Sequence, residues 1–232
     1  LDIIWEKIIS KNKIKIVVLD DSENKKHFCD TYINYKPNLI TQSKLNLDLN
    51  KKKETKLLLG PKYAIIDCRY RNNLEKKIKN NFNICFYMGG GGDFKFFDKI
   101  IINLINLFST LKKKIQINIV KGPACKNIDK IILLSKKYKL IKIIDGKKNL
   151  DKKISKMNLV VGSAGNIIYE TSYYNIPSIF FEISKNQNNS ISNMEKIGHY
   201  FVLNKSELKN YLKISKLIYL LFKNYKRILK LV

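Results

Sequence analysis

Short apolar runs alternate with amphipathic stretches along this chain, and from about residue 80 the alternation becomes regular. The apolar runs there are NICFYM (83–88), IQINIV (115–120), LIKII (140–144), NLVVG (158–162), PSIFFE (177–182) and YFVL (200–203). Helical periodicity fills the intervals at 95–111, 127–138, 149–156, 166–174, 188–197 and 206–229. The runs are continuous rather than alternating, as expected of strands buried on both faces of a parallel sheet. Strand–helix repeats at this spacing predict an α/β fold with a doubly wound parallel sheet over residues 81–232.

The first third reads as the end of another α/β unit, over residues 1–67. An amphipathic helix ends near residue 11, and KIKIVVLDDS (13–22) predicts a buried strand. DTYINYKP (30–37) predicts a second strand stopped by Pro37, NLDLNKKKETK (46–56) a polar loop, and LLLGPKYAIID (57–67) a strand broken at Gly60–Pro61. Residues 68–80 are expected to connect the two parts. The chain opens on Leu1 inside a helical pattern, so further chain is expected upstream.

Two glycine-rich turns follow predicted strands. MGGGGDF (88–94) follows the first strand of the 81–232 region, and GSAGN (162–166) follows the fourth. In a doubly wound sheet, ligands bind outside the carboxyl ends of the strands, near the point where strand order reverses. A glycine turn opening a helix presents bare backbone N–H groups to an anion such as phosphate. Geometry alone also asks for glycine in tight strand-to-helix turns, so either turn singly fits both readings. Neither carries the G-K-[ST] of a Walker A loop, and the sixth position of the first is Phe94, which breaks the dinucleotide G-x-G-x-x-G pattern. Glu170 lies five residues after Gly165. A helix beginning near Gly165 would put it in the second turn, facing a solvated cleft, where its carboxylate repels phosphate but can accept two hydrogen bonds from a ribose diol. A solvated helix glutamate is the competing reading.

Charge changes this picture little. The net charge is +26, but of 45 basic residues only Arg69, Arg71 and Arg227 are arginine, and the lysines are spread along the whole chain. Base and phosphate recognition favours the planar arginine fork. No nucleic-acid partner is expected, while a general attraction for anionic ligands is. Cys29, Cys68, Cys85 and Cys125 form no C-x-x-C pair, and the two histidines are far apart. No metal site or cofactor is expected, and reduced thiols suit a cytoplasmic protein. No apolar run reaches transmembrane length, so no membrane span is expected.

Several segments then suggest a family. NLVVGSAGNIIYETSYYNIPSIFFEISKNQ resembles the donor-binding region of GT-B enzymes, among them the N-acetylglucosaminyltransferases of peptidoglycan synthesis. With VVLDDSENKKHFCDTYIN (17–34), LLGPKYAII (58–66), YMGGGGDF and SKNQNNSISNMEKIGHYFVL (184–203), the chain more closely resembles the UDP-2,4-diacetamido-2,4,6-trideoxy-β-L-altropyranose hydrolases of pseudaminic acid biosynthesis and their spore-coat polysaccharide relatives. The resemblance implies a GT-B-like architecture and release of UDP from a UDP-linked sugar. It implies diphosphate near Ser163, Ala164, Gly165 and Asn166, ribose on Glu170, and uracil read by backbone around Ile144 and Asp145. Gly89, Gly90, Gly91 and Gly92 would border sugar and phosphates, with Asn186 and Gln187 facing the sugar. The hydrolytic base of that family sits in a glycine-rich turn expected upstream of Leu1. His27 matches a different position, and His199 precedes a strand and reads as structural. The glycine turn is one residue longer than the family's, and Asp67-Cys68-Arg69-Tyr70 replaces its Arg-Pro-Glu-Phe. A UDP-sugar glycosyltransferase with the same donor site is the alternative function.

Overall fold

The structure is a computed structural model that describes residues 3–20, 25–37, 55–66, 81–111, 114–147, 150–183 and 200–230. It divides into two compact units, Leu1–Ile66 and Asp67–Val232. Residues 46–54 of the polar loop expected over 46–56, the connector at 68–80, the helix expected at 188–197, and Asn186, Gln187 and His199 lie outside the described residues, while Lys56 at the end of that loop already opens a strand.

In the first unit, α1 (Ile3–Ser10) precedes a parallel sheet of β1 (Val17–Leu19), β2 (Thr31–Asn34) and β3 (Lys56–Leu59), in the order β1-β2-β3. Its core gathers Cys29 and Tyr32 with Ile16, Val18, Leu57 and Leu59. The strand expected over 13–22 is shorter, and Val17 and Leu19, which share one face of β1, are exposed while Val18 packs into the core. Gly60, at φ 95°, ends β3 and admits a short 3₁₀ turn over Pro61–Tyr63.

Helix α1 inverts the expected amphipathicity. Ile4, Trp5 and Ile8 are exposed, while Glu6 is buried. The reason is His27, itself buried, whose Nδ1 meets Glu6 Oε1 at 2.7 Å and whose Nε2 meets Asp20 Oδ2 at 2.9 Å. The amide of Phe28 donates to the second Glu6 oxygen. One imidazole thus clasps α1 to the end of β1. Removing one partner of a buried hydrogen-bonded group leaves the other desolvated and unsatisfied. We expect His27→Ala to destabilise this unit by about 1–2 kcal/mol, read as faster hydrogen exchange at the α1 amides. Unchanged exchange there would mean that the clasp contributes nothing to holding α1.

The larger unit is built on a six-stranded, all-parallel sheet: β4 (Asn81–Tyr87), β5 (Lys114–Lys121), β6 (Ile141–Asp145), β7 (Leu159–Ser163), β8 (Ser178–Glu182) and β9 (Tyr200–Asn204). Their order is β6-β5-β4-β7-β8-β9. The chain winds outward from β4 to β6, then returns to β7 and winds the other way, so strand order reverses between β4 and β7. The helices are α2 (Phe97–Ser109), α3 (Asp129–Lys137), α4 (Leu150–Ile154), α5 (Ile167–Tyr173), α6 (Tyr211–Lys223) and α7 (Tyr225–Ile228).

On one face of β4, Phe82, Ile84 and Phe86 join a buried cluster with Phe97, Ile100 and Leu104 of α2 and Ile214, Ile218 and Leu221 of α6. Phe82 meets Phe222 and Tyr225 edge to face, each with ring centroids 5.0 Å apart. The single helix expected over 206–229 is divided. A 3₁₀ turn over Lys205–Lys209 comes first, with Asn204 and Glu207 forming a capping box, and α6 begins at Tyr211 behind the Asn210 cap. Asn224 then separates α6 from α7. Asparagine competes for backbone hydrogen bonds, which favours helix ends over interiors.

Candidate functional site

The register places Tyr87, the last residue of β4, beside Gly162 in β7. Both glycine-rich turns therefore leave the carboxyl edge of the sheet from adjacent strands, at the point of reversal. They adjoin: a Cβ built on Gly89 would lie 3.5 Å from Ser163 Oγ. Gly162 is required by packing alone, since a Cβ there would lie 1.8 Å from the Tyr87 carbonyl oxygen.

The four glycines of the first turn have different tasks. Gly89 takes φ 76°, a left-handed conformation that suits glycine. Gly92 is buried, and a Cβ there would lie 1.9 Å from the Met88 carbonyl oxygen. Gly90 and Gly91 are exposed. The segment after β5, residues 122–127, ties this turn back. Ala124 N–H donates to the Gly90 carbonyl and Lys126 N–H to the Gly92 carbonyl, both at 2.9 Å, and Phe94 N–H donates to the Lys126 carbonyl at 2.9 Å. Asn127 Nδ2 donates to Asp93 Oδ1 at 2.7 Å. Desolvation raises the Asp93 carboxyl, but hydrogen bonds from the Asn127 side chain and the Lys95 amide, with the charges of Lys95 and Lys126, hold it below its ordinary value. Gly122 fits under this lacing only as glycine, because a Cβ would lie 2.5 Å from the Gly90 carbonyl oxygen. With the carbonyls drawn toward 122–127, the amides of Gly90 and Gly91 have no acceptor among the described residues.

In the second turn Ser163 and Ala164 are buried, and the Ala164 amide donates to the Phe181 carbonyl at 3.1 Å. The expected diphosphate contact through Ala164 therefore has no free amide. Gly165 and Asn166 are exposed, and their amides have no acceptor among the described residues. A Cβ on Gly165 would meet nothing within 4 Å. Four amides thus stand along one edge, in two adjoining turns.

Helix α5 starts at Ile167, two residues later than anticipated, so Glu170 lies in its first turn rather than its second. Nor does it face open solvent. It is half-buried, its Oε2 has no hydrogen-bond partner among the described residues, and its carboxyl is pushed up to about 7 by desolvation and by the charge of Asp151 on α4. The Tyr87 phenol is raised first by burial and then by Glu170, which puts the end of β4 in the electrostatic reach of this carboxyl. At the end of β6, the Asp145 carbonyl accepts from Lys153 Nζ at 3.0 Å, and Asp145 Oδ1 accepts from the Lys147 amide at 2.9 Å. Ile144 is half-buried within the same strand. The backbone expected to read uracil is thus already partly engaged by lysines.

Beside the first turn opens a cavity of about 600 Å³, whose lining includes Gly91, Gly92, Phe96, Ile183 and Leu208. Pattern reading missed this cavity, the 122–127 lacing and the neighbours of Glu170. The Gly122–Pro123 pair after β5 was the one legible signal for the second of these.

No family model matches the chain, and no curated protein matches it. Solved structures do. MurG from Acinetobacter baumannii superposes with a TM-score of 0.61 at 13% identity, covering 87% of this chain and 60% of that one. A protein described as a UDP-N-acetylglucosamine 2-epimerase from Listeria monocytogenes gives 0.59 at 11% identity, over 96% of this chain and 70% of that one. The fold is GT-B-like. A co-structure of Staphylococcus aureus MnaA with UDP gives 0.51 at 15% identity, over 92% of this chain and 68% of that one. The chain spans about 60% of the length of the MurG structure. In the GT-B-like frame, the paired glycine turns and Glu170 occupy the carboxyl edge of the Asp67–Val232 unit. No helix among the described residues is long and apolar enough to cross a membrane.

Proposed function

We propose that this chain binds a UDP-sugar at the carboxyl edge of its larger sheet, as part of a GT-B enzyme that transfers the sugar to an acceptor. One observation carries the reading: the amides of Gly90, Gly91, Gly165 and Asn166, without an acceptor among the described residues, stand in two adjoining turns where strand order reverses. Amides fixed in this way suit a diphosphate, and in a group transfer they would stabilise the charge that develops on the departing nucleotide. Glu170, one helical turn beyond Asn166, is placed to take the ribose hydroxyls. Its orphaned Oε2 is an acceptor lacking a donor, which a diol supplies. The UDP held by the similarly folded MnaA supports uridine as the nucleoside.

Hydrolysis is the second reading, in which water replaces the acceptor. It is favoured by the ordered resemblance of the segments at 17–34, 58–66 and 184–203 to the altropyranose hydrolases. That reading assigns the base to no residue of this sequence.

Calorimetry with UDP, ADP and GDP tests the binding site. We expect UDP to bind at least about tenfold tighter than the other two, a difference of about 1.4 kcal/mol. Equal affinities would reject uridine selectivity. In the whole enzyme of which this chain is proposed to be part, a UDP-sugar incubated without acceptor then separates the two reactions, since hydrolysis releases free sugar under those conditions and transfer does not.

A further inference from the structure

The cavity beside the first glycine turn has a composition that the amide cradle does not explain. Its floor is apolar, with Met88, Ile183 and Leu208. Its rim carries Lys95, Lys205 and Lys209 against a single acid, Asp93. That acid is occupied, accepting from Asn127 Nδ2 and from the Lys95 amide. None of the three lysines is held in an ion pair among the described residues. Their neighbour Glu207 is paired with Lys213 instead. Among the described residues, three ammonium groups therefore face a single carboxylate across this recess, which leaves it net positive.

The recess also contains a strained residue. Phe96 precedes α2 with φ 77° and ψ −12°, a left-handed conformation that is uncommon for a bulky side chain. Such residues persist where the surroundings hold them, and they gather at ligand sites. Here the conformation brings a half-buried aromatic ring into the cavity lining, with Lys95 Nζ 5.4 Å from the ring centroid. An aromatic wall is a surface on which the C–H face of a pyranose packs.

Position links the recess to the nucleotide site. Gly91 and Gly92 belong both to the cavity lining and to the turn proposed to hold the diphosphate. A group attached beyond a diphosphate held by that turn would therefore lie beside this cavity.

We infer that the cavity receives the sugar of the nucleotide-sugar and selects one carrying its own negative charge, a carboxylate or phosphate, with Lys95, Lys205 and Lys209 pairing with that charge and Phe96 packing against the ring. This rests on the nucleotide reading above. Attraction by a cluster of ammonium groups at a partly closed surface is stronger than in bulk water, and the apolar floor excludes the competing hydration.

The test compares UDP, UDP-glucose and UDP-glucuronate by calorimetry on this chain. The two sugars differ only in a carboxylate replacing a hydroxymethyl group. We expect UDP-glucuronate to bind at least about tenfold tighter than UDP-glucose. In the Lys205→Glu/Lys209→Glu double variant the ratio should fall to one or below. Lys216→Glu on the exposed face of α6 changes net charge without touching the recess and should leave the ratio unaltered. Thermal melting of each variant reports whether it is folded, and Lys209→Ala alone should lower the ratio if the double variant is not. Equal binding of the two sugars by a protein that binds UDP would overturn the inference and leave the nucleotide site standing. A preference that survives in the double variant would also overturn it, by placing the selecting charge elsewhere. Failure of UDP itself to bind would reject the nucleotide reading and this inference with it.

Discussion

Alanine at Gly162 should unfold the Asp67–Val232 unit at temperatures where alanine at Gly165 leaves it intact. The two glycines are three residues apart in the same turn, and sequence inspection treats them alike. Their surroundings differ completely. A methyl group on Gly162 would sit 1.8 Å from the Tyr87 carbonyl oxygen, inside the ladder that joins β4 to β7. Neither strand can retreat, because β5 and β8 pair with their other edges. Overpacking of this kind costs about 3 kcal/mol or more, which lowers the melting temperature by roughly 10 °C in a unit of this size. A methyl group on Gly165 meets nothing within 4 Å and should barely alter melting. It would stand over the exposed amides, so UDP affinity should fall by about tenfold or more, a loss of about 1.4 kcal/mol or greater. Melting curves and UDP titrations of both variants decide the matter. A Gly165→Ala protein with normal UDP affinity would show that phosphate does not approach this turn.

Glu170 carries the second large effect. Charge-assisted hydrogen bonds contribute about 1.5–3 kcal/mol each, so Glu170→Ala should weaken UDP by roughly tenfold to a hundredfold, and Glu170→Gln by less. A pH dependence follows from its burial. The carboxyl titrates near 7 in the folded protein, above its ordinary value near 4.5, because burial and Asp151 disfavour the charged form. A raised acid binds its proton more tightly when folded, so stability is undiminished below about pH 4.5, falls as pH rises toward 7, and then levels off. Each tenfold gain in proton affinity on folding corresponds to about 1.4 kcal/mol, so Glu170→Gln should recover up to about 3 kcal/mol at pH 8 and nothing at pH 4. UDP affinity should move the opposite way, rising across pH 6–8 as the carboxylate that accepts the ribose hydroxyls forms. If Glu170→Gln melts identically to the parent at pH 8, the carboxyl is not desolvated. If UDP affinity is flat with pH and unchanged in Glu170→Ala, the ribose lies elsewhere.

Legibility in the sequence followed from how many residues share a constraint. The six strands of the larger unit were readable because each repeats the demand for burial over several consecutive positions, as in Ile115–Val120 and Leu159–Val161. The placement of both turns on one edge followed from their each ending such a run. Single-residue facts were not readable. Nothing periodic marks Glu6 as buried, since its position depends on His27, 21 residues away. The apolar run before Asp20 resembles a core strand, although Val17 and Leu19 lie on an exposed face of β1. Glu170 read as solvated because the groups that interact with its charge, Tyr87 at the end of β4 and Asp151 on α4, are distant in sequence. The lysines of the cavity rim were hidden by abundance: in a chain this rich in lysine, Lys95, Lys205 and Lys209 stand out only once folding has brought them together.

The lacing of residues 122–127 onto the first glycine turn bears on the thermodynamics of ligand capture. A run of four glycines has the largest backbone freedom to lose, and a ligand that had to freeze it would surrender much of its binding energy in doing so. Here the Gly90 and Gly92 carbonyls are already held by the Ala124 and Lys126 amides. The entropy of ordering the turn is met once, during folding, by bonds unrelated to the ligand. An anion bound there, as proposed, would meet a turn already ordered, and its contacts should appear almost undiminished as affinity.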